Sequence, residues 1–116
     1  MQTANTPSYY LSNVNEYEEI AKIDNLPAGI YIASGRVQRN VHESVTDVTS
    51  WVSVDGGGSP NTSYGPATTI PGGTQYPIAS IVRFITLSQS GSIRLYVRSN
   101  NKDAGFGGVL QILRIA

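Results

Sequence analysis

Apolar positions along this chain recur with the period of strands. Residues 29–37 (Gly-Ile-Tyr-Ile-Ala-Ser-Gly-Arg-Val) are rich in β-branched and aromatic side chains and predict a strand. Gly35 within that run predicts a bulge or a close approach of neighbouring structure. A shorter strand is expected at 20–23, ended by Asp24-Asn25 and Pro27, and another over 45–54, which carries Val45, Val48, Trp51, Val52 and Val54. Residues 78–87 are nearly continuously apolar. Residues 92–98 alternate, with Ile93, Leu95 and Val97 on one face and Arg94, Tyr96 and Arg98 on an opposite face expected to be solvated. The last strand, 109–115, places Val109, Leu113 and Ile115 on one side and Leu110 and Ile112 on the other.

The segments between these runs lack a period. Residues 1–19 are polar and read as an N-terminal arm, either with a short helical turn over 15–19 or lying on a neighbour. Residues 55–77 hold six Gly and four Pro, which exclude a regular element beyond a brief pairing at 67–70. Residues 99–108 form a second polar, Gly-containing loop. The expected organisation is therefore an arm, 1–19, and one domain, 20–116.

Five or six strands separated by turns, with no convincing helix, predict an all-β antiparallel sandwich of jelly-roll type. The strands 78–87 and 109–115 are apolar on both faces, whereas an antiparallel strand in so small a domain usually turns one face to water. A second copy of the chain is the simplest cover, so an oligomer is expected. The alternative cover is the arm itself.

Composition narrows the chemistry. The 116 residues include 12 Gly, 6 Pro, 13 Ser and 9 Thr, which favour turns and strands over helices. Eight basic and eight acidic residues cancel, removing the electrostatic basis for binding nucleic acid or anionic membrane. No apolar run approaches the ~20 residues of a membrane-spanning helix, so no membrane insertion is expected. With no Cys there is no disulfide, thiol nucleophile or Cys-ligated metal. The single histidine, His42, precedes Glu43, but position 46 is Thr where a zinc-protease helix needs a second His. No G-x-S-x-G elbow occurs; Glu43, Asp47 and Asp55 are the only mid-chain candidates for the carboxyl pair of a glycoside hydrolase, and Asp47, alternating with Val48 in a predicted strand, reads as solvated. Gly56-Gly57-Gly58 lacks the Lys and the following helix of a phosphate loop. A non-enzymatic protein without catalytic residues, cofactor or resident metal is expected; any ion would be a hard cation on loop oxygens such as those of Asn101 and Asp103.

Saccharides combine apolar C–H faces with hydroxyls, so aromatic rings amid amides suit them. Two loops have that composition: 55–77, with Asn61, Tyr64, Gln75 and Tyr76, and 99–108, with Asn100, Asn101, Asp103 and Phe106. These eight residues are the expected ligand-binding set.

Asp24-Asn25-Leu26-Pro27-Ala28-Gly29-Ile30-Tyr31 resembles the D-x-L-P-x-G-x-Y opening of C-terminal domains in bacteriophage tail fibres and receptor-binding proteins. Residues 108–116 are similar to the terminal strand of those domains, and the strand order between is like that of the C1q/TNF-type trimeric jelly roll. The resemblance covers residues 20–116. It implies a homotrimer at a fibre tip on the virion, contacting a host-surface receptor, most simply a glycan, through variable loops. A monomeric carbohydrate-binding module and a purely structural trimerisation or capsid-decoration domain are the alternatives.

Overall fold

The strand patterns assemble into two antiparallel sheets of four. The computed structural model describes residues 1–40, 50–56, 68–70, 78–100 and 105–116. Among these, eight strands follow one another: β1 (Gln2–Tyr10), β2 (Glu18–Leu26), β3 (Gly29–Asn40), β4 (Ser50–Gly56), β5 (Thr68–Ile70), β6 (Ile78–Leu87), β7 (Gly91–Ser99) and β8 (Gly105–Arg114). One sheet has the order β1-β8-β3-β6 and the other β2-β7-β4-β5. Pairings nest, β1 with β8, β2 with β7, β3 with β6 and β4 with β5, like one long hairpin rolled upon itself. The β3–β8 and β4–β7 ladders join the turns of that roll. This is the jelly-roll order, in a β-sandwich as expected but with more strands than five or six.

One of the added strands corrects the expected boundary at residue 19. β1 pairs with β8 from Gln2↔Ile112 to Tyr10↔Gly105, so the first ten residues are an edge strand of the domain. Their polarity suits an edge, where only alternate side chains turn inward. The Thr6 hydroxyl donates to the Ile20 carbonyl (2.5 Å), and the Tyr9 hydroxyl to Glu18 Oε1 (3.2 Å). The expected helical turn over 15–19 is absent. Asn15 instead adopts a left-handed φ of 59°, which Asn tolerates, and the Glu18 carboxylate accepts the N–H groups of Ser12 (3.0 Å) and Asn13 (2.9 Å). Elsewhere β5 divides the expected 55–77 loop, β8 begins inside the expected 99–108 loop, and the strand expected over 45–54 starts at Ser50, with 45–49 outside the described residues.

The core lies between the sheets. Tyr31, Ala33, Val37, Phe106 and Leu110 from one sheet meet Val52, Val54, Ile93, Leu95 and Val97 from the other, all essentially without exposed surface. Gly35 belongs to this layer, and the ladders on both its sides run through it without a bulge. A Cβ there would stand 2.5 Å from Leu95 Cδ1 and 2.7 Å from Val54 Cγ2. Close approach of the opposite sheet is what the glycine permits. Arg39, also inward and fully buried, places Nη1 3.5 Å from Ser50 Oγ, which bonds Ser99 Oγ (3.1 Å); burial lowers the pKa of its guanidinium.

The motif at 24–31 builds the β2–β3 turn. Leu26 is buried, Asn25 is left-handed (φ 59°), and the Tyr31 hydroxyl donates to the Pro27 carbonyl (2.6 Å). The chain terminus closes over it, with Ile30 N–H donating to the Ala116 carbonyl (3.1 Å) and Arg114 Nη2 to the Ala28 carbonyl (2.8 Å).

Candidate functional site

Strand register decides which side chains reach the surface, and it redistributes the expected binding residues. Asn61, Tyr64, Gln75, Tyr76, Asn101 and Asp103 lie outside the described residues, as do His42, Glu43 and Asp47. The connections holding Asn61 and Tyr64 (β4 to β5) and Gln75 and Tyr76 (β5 to β6) leave from opposite ends of β5. Asn100 is exposed just beyond β7. Phe106 is a correction: it sits in β8 with 0% exposure, within the hydrophobic core, because the even-numbered residues of β8 face inward. Its flanking glycines suggested a loop, yet they pair in the ladder as Tyr10↔Gly105 and Gln38↔Gly107. Asp55 is half-buried and committed locally, accepting Gly56 N–H (2.8 Å) and facing Arg83 Nη1 (3.5 Å).

The outer face of β2-β7-β4-β5 differs from the solvated surface expected of Arg94, Tyr96 and Arg98. Tyr96 is 0% exposed. Arg98 lies over the Trp51 ring (5.2 Å to its centroid) and near that of Tyr17 (6.0 Å), while Arg94 Nε sits 3.2 Å from Glu19 Oε1. Burial raises the pKa of the Tyr17 phenol, partly offset by the Arg98 charge. These arginines are tied to neighbours on their own face.

The other sheet carries the open surface. On its outer side the ladders place Phe84 beside Ile32, and Ile32 beside Leu113, in one transverse row. Phe84 is 68% exposed, Val82 63% and Leu113 45%; Ile30 and Ile115 extend the zone, joined by the bond from Ile115 N–H to the Ile30 carbonyl (2.8 Å). No charged side chain stands in that row. The two-faced apolar strands are thereby resolved. Leu110 and Ile112 fill the core of the chain itself, whereas Leu113 and Ile115 remain uncovered, and β1 pairs beside β8 without lying over them.

Farther along the same face the surface turns polar. Register places Arg36 beside Val109 and Gln38 beside Gly107, and β1 continues the rows with Asn5 beside Val109. Between Thr6 and Tyr9 the β1 ladder shifts at Pro7, which has no N–H to give to a strand pair. Gly107 has no side chain to fill the gap, and a Cβ there would stand 3.0 Å from the Pro7 carbonyl. The result is an open cleft of about 290 Å³ floored by Gly107 and Gly108 and walled by Asn5, Pro7, Arg36 and Gln38. Sequence reasoning did not single out this group. Pro7 interrupting a polar run, opposite glycines about a hundred residues away, is a signal only once β1 and β8 are known to pair. Among the described residues no three His, Asp or Glu side chains converge as metal ligands would.

No family model matches the chain, and no curated protein matches it. Among solved structures, it is similar to a pentameric capsid protein isolated from metagenomic phage sequences, at 17% identity and a TM-score of 0.35. The match covers 90% of this chain and 60% of that one, so the chain spans about three fifths of the neighbour's length.

Proposed function

We propose that the chain is a non-enzymatic attachment domain of a bacteriophage fibre tip, a jelly roll that assembles as a homotrimer and holds a host-surface glycan. The observation that carries the assembly is the uncharged zone of Ile30, Ile32, Val82, Phe84, Leu113 and Ile115 on the outer sheet face. Soluble monomers seldom leave so much contiguous apolar surface in water. The occupant is a further copy of this chain. With 8 basic and 8 acidic residues and no charge within the row, copies approach without like-charge repulsion. The zone also stands on three hydrogen-bonded strands, so little ordering cost attends its burial. The trimeric state and the fibre-tip setting rest on the resemblance of residues 24–31 and 108–116 to tail-fibre domains.

Light scattering tests the reading. The expected solution mass is about 37 kDa, three times 12.4 kDa. Phe84→Asp, at a position already exposed, is expected to give a folded monomer because a carboxylate buried at the contact has no partner. A wild-type mass of 12.4 kDa at micromolar concentration overturns the proposal.

A further inference from the structure

We infer that the cleft at the Pro7 shift is a binding site for a carboxylate-bearing saccharide; this names the ligand class and the place of the glycan contact, and to that extent rests on the function proposed above. Arg36 is the charged group of the cleft. It points outward from the middle of β3, is exposed, and forms no ion pair among the described residues, in contrast to Arg83 and Arg94. A guanidinium is a planar fork that matches a carboxylate with two parallel hydrogen bonds. Beside it, Gln38 and Asn5 each offer an amide that donates and accepts, which is what sugar hydroxyls require.

An aromatic surface completes the set. Tyr10 is 66% exposed, and its ring carbons lie 3.2 and 3.3 Å from where a Cβ on Gly105 would stand. Gly105 and Gly107 share the outward parity of β8, so the ring stands about 7 Å along the strand from the cleft floor. In order along β8 come a ring, a polar hollow and the Arg36 cation, a length that takes one or two sugar rings. The wall residues belong to paired strands, so the hollow exists before the ligand arrives. Among the described residues the cleft holds one cation, in a chain of zero net charge, which suits a singly charged sugar acid better than a phosphate-rich polyanion.

The test is a titration of the full chain followed by amide shifts in a ¹H–¹⁵N spectrum, with methyl glucuronide, methyl glucoside and inorganic phosphate as probes. The glucuronide is expected to move the amides of Arg36, Gly107 and Gly108 to saturation in the millimolar range, and the glucoside to bind at least about tenfold more weakly, as loss of a charge-assisted bond implies. Arg36→Gln is expected to erase that difference with an unchanged melting temperature. Arg36→Lys, which keeps the charge but not the fork, is expected to fall between, and supports the site even if the Gln variant misfolds. No shift at these amides, equal affinity for the two sugars, or phosphate binding as tightly as the glucuronide overturns the inference. Mass measured on the same sample separates the two proposals. Glucuronide binding by a monomer keeps the site and removes the trimeric reading, whereas a trimer without shifts keeps the trimer and removes the site.

Discussion

Tyr9 illustrates how one side chain ties the edge strand to the sandwich. Its hydroxyl donates to Glu18, and its pKa is held above the ordinary value of 10 first by burial, then by the Glu18 charge and the hydrogen bond itself, with Glu19 adding to them. The folded state therefore favours the neutral phenol. That contribution is fully present below pH 10 and is lost as the pH rises through the raised value. Tyr9→Phe is expected to cost about 1 kcal/mol at neutral pH. Between pH 8 and 11 the urea midpoint of the wild type should fall more steeply than that of the variant; parallel profiles would show that the phenol is not coupled to folding. Gly35 makes a different point, about space. Gly35→Ala forces a methyl group against Leu95 and Val54 and is expected to cost about 1–3 kcal/mol in urea denaturation. Leu95→Val in the same background should recover part of that loss, because it is Leu95 Cδ1 that stands 2.5 Å away.

Among elements, β1 contributes beyond its apolar content. It supplies the inward side chains Ala4, Thr6 and Tyr9, and its ladder covers the edge that β8 would otherwise present to solvent. Deleting residues 1–10 is expected to lower the melting temperature by more than 10 °C and to promote aggregation through the exposed β8 edge, as read by circular dichroism and sedimentation. An unchanged melting temperature would return β1 to the status of a dispensable arm. The segment 24–31 shows how a short motif acts. Leu26 anchors it in the core, Tyr31 fastens the turn to Pro27, and the terminal strand locks it from outside. Its residues are spent on the turn, so the resemblance it carries concerns architecture, and binding chemistry must lie elsewhere.

For the whole molecule, the outer face of β1-β8-β3-β6 is divided along its strands. The apolar row of Phe84, Ile32 and Leu113 occupies one part, and the polar hollow at Arg36 and Gln38 the other; Val109, beside Arg36, and Ile78, on the edge strand beside Gln38, are aliphatic exceptions in the second part. Assembly through the first part couples stability to concentration by mass action. The wild-type melting temperature is therefore expected to rise as protein concentration increases tenfold, and that of Leu113→Asp to stay constant. A concentration-independent wild type would mean that the apolar row has no partner.

Alternation with a period of two is a local property, so the chain order alone located Ile78–Leu87, separated the two faces of 92–98, left Gly35 as a bulge or a close approach, and implied a jelly roll. It could not say which side of a strand apolar on both sides would face the core. Register does that: Leu110 and Ile112 were drawn inward and Leu113 outward by pairing with β3 and β1. Polar residues 2–10 had no period to reveal them, because their place as a strand depends on a partner about a hundred residues away. For the same reason Phe106 read as a loop aromatic and proved to be core, while Tyr10, Arg36 and Gln38 drew no notice until one ladder set them on a common face. Pairing between distant segments is a tertiary event, paid in loop-closure entropy and repaid by the burial of both sheets together, so what a strand displays is decided by the assembled sandwich.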